Sequence, residues 1–226
     1  MSGSIDTQAS AIKYPELVFG LIGAVGTDSD KILDALDHAL KQVRYNQVII
    51  RLIDGLRQLE KWRNIDTEPL DLRYTSHMDA GNEFRKLLGR GDALALIGAS
   101  SIAKERTKIT EESSKPAART AYVLRSLKRP EEVSTLREIY GRNFFTLAAY
   151  SPKIRRSERL ASKIAESRRS GKSVGIQTTA NQLIERDEAE LQDKSDKTFA
   201  KRSPVPTSSW MPTVPSFNSK SLVSSN

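Results

Sequence analysis

The sequence predicts an α/β protein with a parallel sheet and helices on both of its faces. Short apolar segments alternate along the chain with longer segments of helical periodicity. The first apolar segment, residues 16–22, is almost continuously apolar, which is typical of a parallel strand buried on both faces. Three glycines at its end lead into a helical pattern. Strand, helix and strand in this order favour a parallel sheet with crossover helices.

Each element has its own local signal. The segments QVIIRLI, RTAYVLR and NFFTLAAY are interpreted as further strands, and a helix is expected to start at Pro130, a residue suited to the first helical turn. Thr27, Asp28 and Ser29 are the candidate N-caps of the first helix. Strands are expected at residues 16–22, 47–53, 119–125 and 143–150. Helices are expected at residues 29–44, 54–62, 77–89, 92–108, 130–140, 153–169 and 178–190.

Composition limits the class of protein. The chain has 226 residues, 38% of them hydrophobic, which suits one domain, expected at residues 15–192 between a disordered N-terminus (1–14) and a disordered Ser/Pro-rich tail (193–226). A net charge of +8 favours phosphate-bearing partners such as nucleotides or RNA. The absence of cysteine excludes thiol nucleophiles and Cys-ligated zinc. Neither a membrane span nor a signal peptide is visible, so a cytoplasmic protein is expected.

The segment GLIGAVGTD is the main candidate for a binding site. Backbone N–H groups in a glycine-rich loop can point into a concavity, and the following helix directs its positive end at the same anion. The consensus G-x-x-x-x-G-K-[ST] is degenerate here, because Thr27 and Asp28 follow Gly26. An ordinary turn with a helix cap would use the same residues, but the carboxyl end of the first strand is where open α/β sheets bind ligands. The candidate binding residues of the loop are Gly20, Gly23, Ala24, Val25, Gly26, Thr27 and Asp28.

Two groups of basic residues are further candidates. Arg125, Lys128 and Arg129 follow the third strand and would lie at the mouth of the sheet, although their spacing alone favours ordinary surface charge. Arg155, Arg159 and Lys163 form one stripe on a later helix. Such a stripe is usually solvated, but an arginine-bearing lid that neutralises phosphate charge would also lie after the fourth strand.

Five segments together resemble a known family. They are PELVFGLIGAVGTD, MDAGNEFR, AYVLRSLKRPEEVSTLREIYG, AAYSP before a run of arginines, and LIERDEAE. They are similar to the N-terminal half of bacterial two-domain deoxycytidylate (dCTP/dCMP) deaminases that act in anti-phage defence. The resemblance covers residues 14–191 and implies a P-loop kinase-like fold, with lid roles for Arg155, Arg156 and Arg159. It also aligns residues 78–85 with a segment that lines a base or monophosphate pocket; Glu185, Arg186 and Asp187 match too, and a charged helix face is their simplest role.

The chain departs from that family where the deaminase domain should begin. Zinc deaminases need an H-x-E and a P-C-x-x-C element, and this chain has no cysteine and only His38 and His77. We therefore expect no zinc and interpret the chain as the kinase-like half alone, the product of a truncated or frameshifted gene.

The leading hypothesis is a nucleotide-binding module that senses or regulates. ATP or a dNTP is the expected ligand, with magnesium needed to shield Asp28 from a triphosphate. An active deoxynucleoside monophosphate kinase, which recruits a cation from elsewhere, and an RNA-binding regulator are the two alternatives. Assembly into a homo-oligomer is left open.

Overall fold

The computed structural model describes residues 14–169 and 174–199, with side chains described as far as residue 190. The expectations for residues 1–13 and 200–226 lie outside the described residues. Four strands alternate with helices. The strands are β1 (Leu17–Gly23), β2 (Asn46–Arg51), β3 (Thr120–Leu127) and β4 (Phe144–Ala149). The helices are α1 (Ser29–Gln42), α2 (Leu52–Leu56), α3 (Leu70–Leu88), α4 (Ala93–Thr110), α5 (Pro130–Tyr140), α6 (Lys153–Ser167) and α7 (Val174–Phe199), with short 3-10 turns at Glu60–Trp62 and Gly141–Asn143.

The four strands form one parallel sheet in the order β2-β3-β1-β4. The connection from β1 leads past β3 to β2, whereas the connection from β3 leads past β1 to β4. The chain therefore leaves the two central strands in opposite directions. In open α/β sheets this reversal creates a crevice at the carboxyl ends of those strands, where ligands bind.

Helices cover both faces of the sheet, as the sequence predicts. Leu33 of α1 packs on Leu21 and Val123 on one face. Helices α2 to α5 pack on the opposite face against a larger apolar core, which contains Tyr122 and Leu124. In β3, Tyr122 and Leu124 belong to this larger core, whereas Val123 between them packs with Leu33 on the other face. All three side chains are fully buried, so the strand is buried on both faces.

The last two helices form a separate layer near the end of β1. Leu160 and Ile164 of α6 pack against Leu183 and Ile184 of α7, and Val25 from the loop after β1 joins this core. The pair also contacts the first turns of α3 through Tyr74 and Met78. Helices α6 and α7 therefore lie over the glycine-rich loop rather than over the middle of the sheet.

Several element boundaries differ from the sequence-based expectations. The strand β2 ends at Arg51 because Leu52 and Ile53, expected in the strand, begin α2. Helix α3 starts at Leu70, so its first two turns were missed. Helix α7 continues to Phe199, past residue 193, where the tail was expected to begin. Pro130 starts α5, as predicted.

Across the described residues, no helix has the length and apolar character needed to cross a membrane.

Candidate functional site

A cavity of about 220 Å³ lies at the crevice where the strand connections reverse. Its walls come from the loop after β1, from the carboxyl ends of β2 and β3, from one face of α3, and from α6 and α7. Basic side chains outnumber acidic ones in this lining. The basic residues are Arg51, Arg73, Arg85, Arg125, Lys128 and Lys163, and the acidic residues are Asp30, Asp187 and Glu190. The crevice therefore carries an excess of positive charge, which favours an anionic ligand.

The three glycines Gly20, Gly23 and Gly26 have different structural roles. At Gly26 the backbone φ is +85°, and a Cβ atom there would lie 2.6 Å from the carbonyl oxygen of Arg156. Glycine is required at this position by both conformation and close approach. A Cβ atom on Gly20 would lie 2.5 Å from a methyl group of Leu127, so Gly20 serves strand packing. Gly23 lines the cavity, and a Cβ there would make only ordinary contacts.

The loop is held by charged side chains from other elements. The Val25 N–H donates a 2.8 Å hydrogen bond to the Asp187 carboxylate of α7. The Lys128 ammonium donates to the same carboxylate at 2.7 Å and to the Gly23 carbonyl oxygen at 3.2 Å. We call this part of the cavity, formed by residues 23–27 with Lys128 and Asp187, the loop side. Its anion-binding groups already hold a carboxylate of the protein itself.

One polar atom on the loop side has no partner. The Oγ1 atom of Thr27 is buried and makes no hydrogen bond to any described residue, although Thr27 lines the cavity. Leaving a buried hydroxyl unsatisfied costs free energy. A ligand oxygen that reached this hydroxyl would remove that cost.

A second part of the cavity lining, which we call the arginine side, consists of Arg51, Arg73, Arg125 and Lys163. Asp30 accepts hydrogen bonds from Arg125 at 2.8 Å and from Lys163 at 3.1 Å. Arg51 and Arg73 have no acidic partner within the described part of the chain. One carboxylate therefore pairs with two of the four cations, and the arginine side keeps a net positive charge.

The backbone brings two of these arginines together. Arg51 and Arg125 are in register on the neighbouring parallel strands β2 and β3. Like charges placed side by side repel each other. The pairing of β3 with β1 shifts register at Ser126, which has a φ of +74° and lines the cavity. A bulge with a non-glycine residue in the left-handed region is a feature that is often found beside binding sites.

Electrostatic effects on Tyr74 connect the members of the arginine side. Burial raises the pKa of the Tyr74 hydroxyl, while the charges of Lys163, Arg73 and Arg125 act to lower it. Burial also acts to raise the pKa of Asp30, but its bonds to Lys163 and Arg125 outweigh this, and its pKa is below the usual value. Asp30 therefore stays ionised well into the acidic range.

His77 provides a neutral polar group in the same cavity. Burial, followed by the nearby positive charge of Arg73, lowers the pKa of His77 to about 4. The imidazole is uncharged at neutral pH. Its Nε2 atom is buried without a hydrogen-bond partner in the described residues. Leu52, Tyr74 and Met78 lie beside it in the lining and provide an apolar surface.

The structure brings only part of the predicted site together. Gly23, Ala24, Val25, Gly26, Thr27 and Arg125 line the cavity. Gly20 and Asp28 do not. Asp28 instead caps α1 by accepting the Lys31 N–H at 3.5 Å, which agrees with its alternative reading as an N-cap.

The three arginines predicted as lid residues lie outside the cavity lining. Arg155 is exposed. Arg156 is buried and donates to the Val25 carbonyl oxygen at 3.2 Å and to Glu188 at 2.6 Å. Arg159 donates to the Gly26 carbonyl oxygen at 3.4 Å and pairs with Asp28 at 3.3 Å. Arg156 and Arg159 hold the outer surface of the loop because carbonyl and carboxylate groups there satisfy their guanidinium groups.

The remaining predicted segments are divided between the cavity and the surface. Met78, Gly81 and Arg85 line the cavity, whereas Asp79 pairs with Arg186 at the surface. The interpretation of Asp187 as part of a charged helix face is wrong, because this residue is only 3% exposed and binds the loop. Glu185 is exposed, as expected for such a face.

Sequence reasoning missed Arg51, Arg73 and His77. Arg51 had a detectable signal, since it interrupts the apolar run QVIIRLI near the expected carboxyl end of a strand. Arg73 and His77 had none, because they occupy one face of a helix whose first turns were not predicted. Lys163 was noticed in the basic stripe but was not assigned to the site.

No protein-family model matches the chain, and a search of curated proteins gives no significant match.

Proposed function

We propose that this chain is a nucleotide-binding, kinase-like module with a sensing or regulatory role, related to the N-terminal half of anti-phage deoxycytidylate deaminases. The arginine side carries the proposal. Of its four cations, Arg125 and Lys163 share the Asp30 carboxylate, while Arg51 and Arg73 have no acidic partner among the described residues. Guanidinium groups bind phosphate oxygens in a bidentate manner. A phosphate group is therefore the chemistry that best complements this side.

The other walls suit the base and sugar of a nucleotide. Tyr74, Met78 and Leu52 provide apolar contact, and the neutral His77 presents a ring nitrogen that has no partner in the described part of the chain. Pockets of this kind combine apolar walls with a few polar groups that orient the ligand. The cavity, at about 220 Å³, is smaller than the roughly 300–1,000 Å³ of typical drug-sized sites, which favours a mononucleotide.

Two features favour binding over turnover. The loop lacks the consensus lysine, and its Val25 amide is already occupied by Asp187. Phosphoryl transfer depends on fixed cations that stabilise the transition state. Binding of a nucleotide by the arginine side, without phosphoryl transfer, does not need a cation from the loop.

The alternative of an active monophosphate kinase is favoured by Lys128. Its ammonium group lies 3.2 Å from the Gly23 carbonyl oxygen, so a lysine from β3 reaches the loop that lacks one of its own. This alternative predicts ADP release with ATP, magnesium and a deoxynucleoside monophosphate, and loss of that activity in Lys128→Met. No ADP release with any such acceptor would exclude it.

Titration calorimetry tests the proposed binding. Wild-type protein is titrated with dCMP, dCTP and ATP, each with and without magnesium. Arg51→Gln should weaken the binding of any ligand found by about tenfold or more, the loss expected for a charged hydrogen bond. Arg155→Gln is the control, because it removes the same charge from an exposed position outside the cavity lining.

The outcomes separate the candidates. Heat with none of the nucleotides, or equal weakening by both substitutions, would contradict the proposal. A pocketed nucleotide should respond only moderately to salt. An RNA ligand should instead lose affinity steeply between about 50 and 200 mM salt.

A further inference from the structure

Asp187 occupies the position at the loop that an anionic ligand would take. Its carboxylate accepts the Val25 N–H at 2.8 Å through one oxygen and the Lys128 ammonium at 2.7 Å through the other. The side chain is 3% exposed and lines the cavity. A backbone amide and an ammonium group that converge on one anion form the usual arrangement for phosphate binding at a glycine-rich loop.

This contact occupies the Val25 amide and the Lys128 ammonium, two of the anion-binding groups of the loop side. While Asp187 is in place, Lys128 is paired and the Val25 amide is satisfied. Two anions cannot share these donors, because a phosphate next to a buried carboxylate would be repelled. Within the described residues, the Thr27 hydroxyl remains without a hydrogen-bond partner on the loop side.

We propose that Asp187 is an autoinhibitory carboxylate, which an anionic ligand must displace from Val25 and Lys128 to reach the loop. The inference rests on the proposed function and describes the regulation of the same site. Phosphate on the arginine side binds without this displacement. Full occupation of the cavity, including the loop, requires that Asp187 and its helix leave the loop.

The consequence reaches the whole α6 and α7 layer. Ala180 and Ile184 of α7 pack with Ile164 of α6 and with Val25 of the loop. Glu188, one residue after Asp187, is bonded to Arg156, which itself holds the Val25 carbonyl oxygen. Release of Asp187 therefore loosens α7 relative to the loop, and by linkage any factor that moves α7 changes the affinity for the ligand.

The test compares Asp187→Asn with wild type, using inorganic pyrophosphate as the probe in titration calorimetry. Asparagine keeps an oxygen for the Val25 N–H but removes the charge that competes with the ligand. Binding should become tighter by tenfold or more. Glu185→Gln is the matched control, since it removes one negative charge from an exposed position of the same helix and should leave the affinity unchanged.

Hydrogen exchange of the wild-type protein gives a second readout that needs no variant. Saturating pyrophosphate should speed exchange of backbone amides in residues 183–190 of α7. Unchanged or slower exchange there would overturn the proposal. The proposal would also be overturned if Asp187→Asn bound pyrophosphate as tightly as wild type or more weakly, while binding by wild type depended on Arg51. That pair of results would contradict the inference about Asp187 but not the proposed function. Absence of binding to both proteins would overturn the inference, and absence of nucleotide binding by wild type would overturn the function as well.

Discussion

The two sides of the crevice carry similar cations but balance them differently. On the loop side, Lys128 pairs with Asp187. Nearby, Arg85 pairs with Glu132 at 2.6 Å, and the side chains of this second pair are almost fully and fully buried, respectively. On the arginine side, Arg51 and Arg73 have no acid partner in the described residues. Internal pairing makes cations part of the fold, whereas unpaired cations stay available to a ligand. The comparison teaches that positive charge near a loop identifies a binding surface only where the protein has not neutralised it.

The largest expected effect comes from removing an internal partner. Glu132 is fully buried and accepts hydrogen bonds from Arg85 and from the backbone N–H groups of Lys128 and Arg129. Glu132→Gln leaves the Arg85 charge buried without a counter-ion, and the free energy of unfolding should fall by about 3–5 kcal/mol. Urea denaturation measures this loss. Glu131→Gln, at the exposed neighbouring position, should change stability by less than about 0.5 kcal/mol; equal effects of the two would contradict the distinction between paired and unpaired cations.

A smaller loss in the free energy of unfolding is expected from Gly26→Val. The positive φ disfavours valine, and its Cβ would meet the backbone carbonyl of Arg156, which cannot move aside easily. Strain and overpacking together should cost roughly 2–4 kcal/mol and abolish ligand binding at the loop. Gly89→Val is the control, since Gly89 also has a positive φ but its Cβ would meet open space. If both variants lost the same stability, the Arg156 contact would have no part in fixing the loop.

The smallest expected effect is the pH dependence due to His77, which is influenced by the charge of Arg73. The pKa of His77 is lowered from 6.5 to about 4, so the unfolded chain binds more protons than the folded chain between these values. The contribution of His77 to the free energy of unfolding should be fully present above about pH 6.5 and should be lost as the pH decreases towards about 4. The contribution of this residue is about 1–2 kcal/mol after allowance for partial solvation. Denaturation of wild type and His77→Gln at pH 7 and pH 4.5 measures it; an identical pH response of the two proteins would show that His77 is not the responsible group.

Local patterns were sufficient for most elements of the fold. The almost continuous apolar character of β1 predicted a buried parallel strand, and Pro130 marked the start of α5. Errors occurred at boundaries where local signals compete. Leu52 and Ile53 continue the apolar run of β2 but belong to α2, and the first turns of α3 lie in a segment rich in polar residues.

The candidate site was less predictable than the fold. The loop residues from Gly23 to Thr27 were found because glycine-rich turns have a recognisable spacing. Arg156 was expected on a lid because of the family resemblance, and its guanidinium is satisfied by the Val25 carbonyl oxygen and by Glu188. Charge in a sequence does not indicate which partner will neutralise it.

By itself, the sequence determined the α/β class, the glycine-rich loop after the first strand and the overall basic character, because these follow from local periodicity, spacing and composition. Only the tertiary structure decided that Asp187 reaches Val25 across 162 residues and that Arg51 lies in register with Arg125. Those contacts depend on strand order and on how α7 packs. Two residues far apart in the chain become neighbours only when the whole sheet and its helices are assembled.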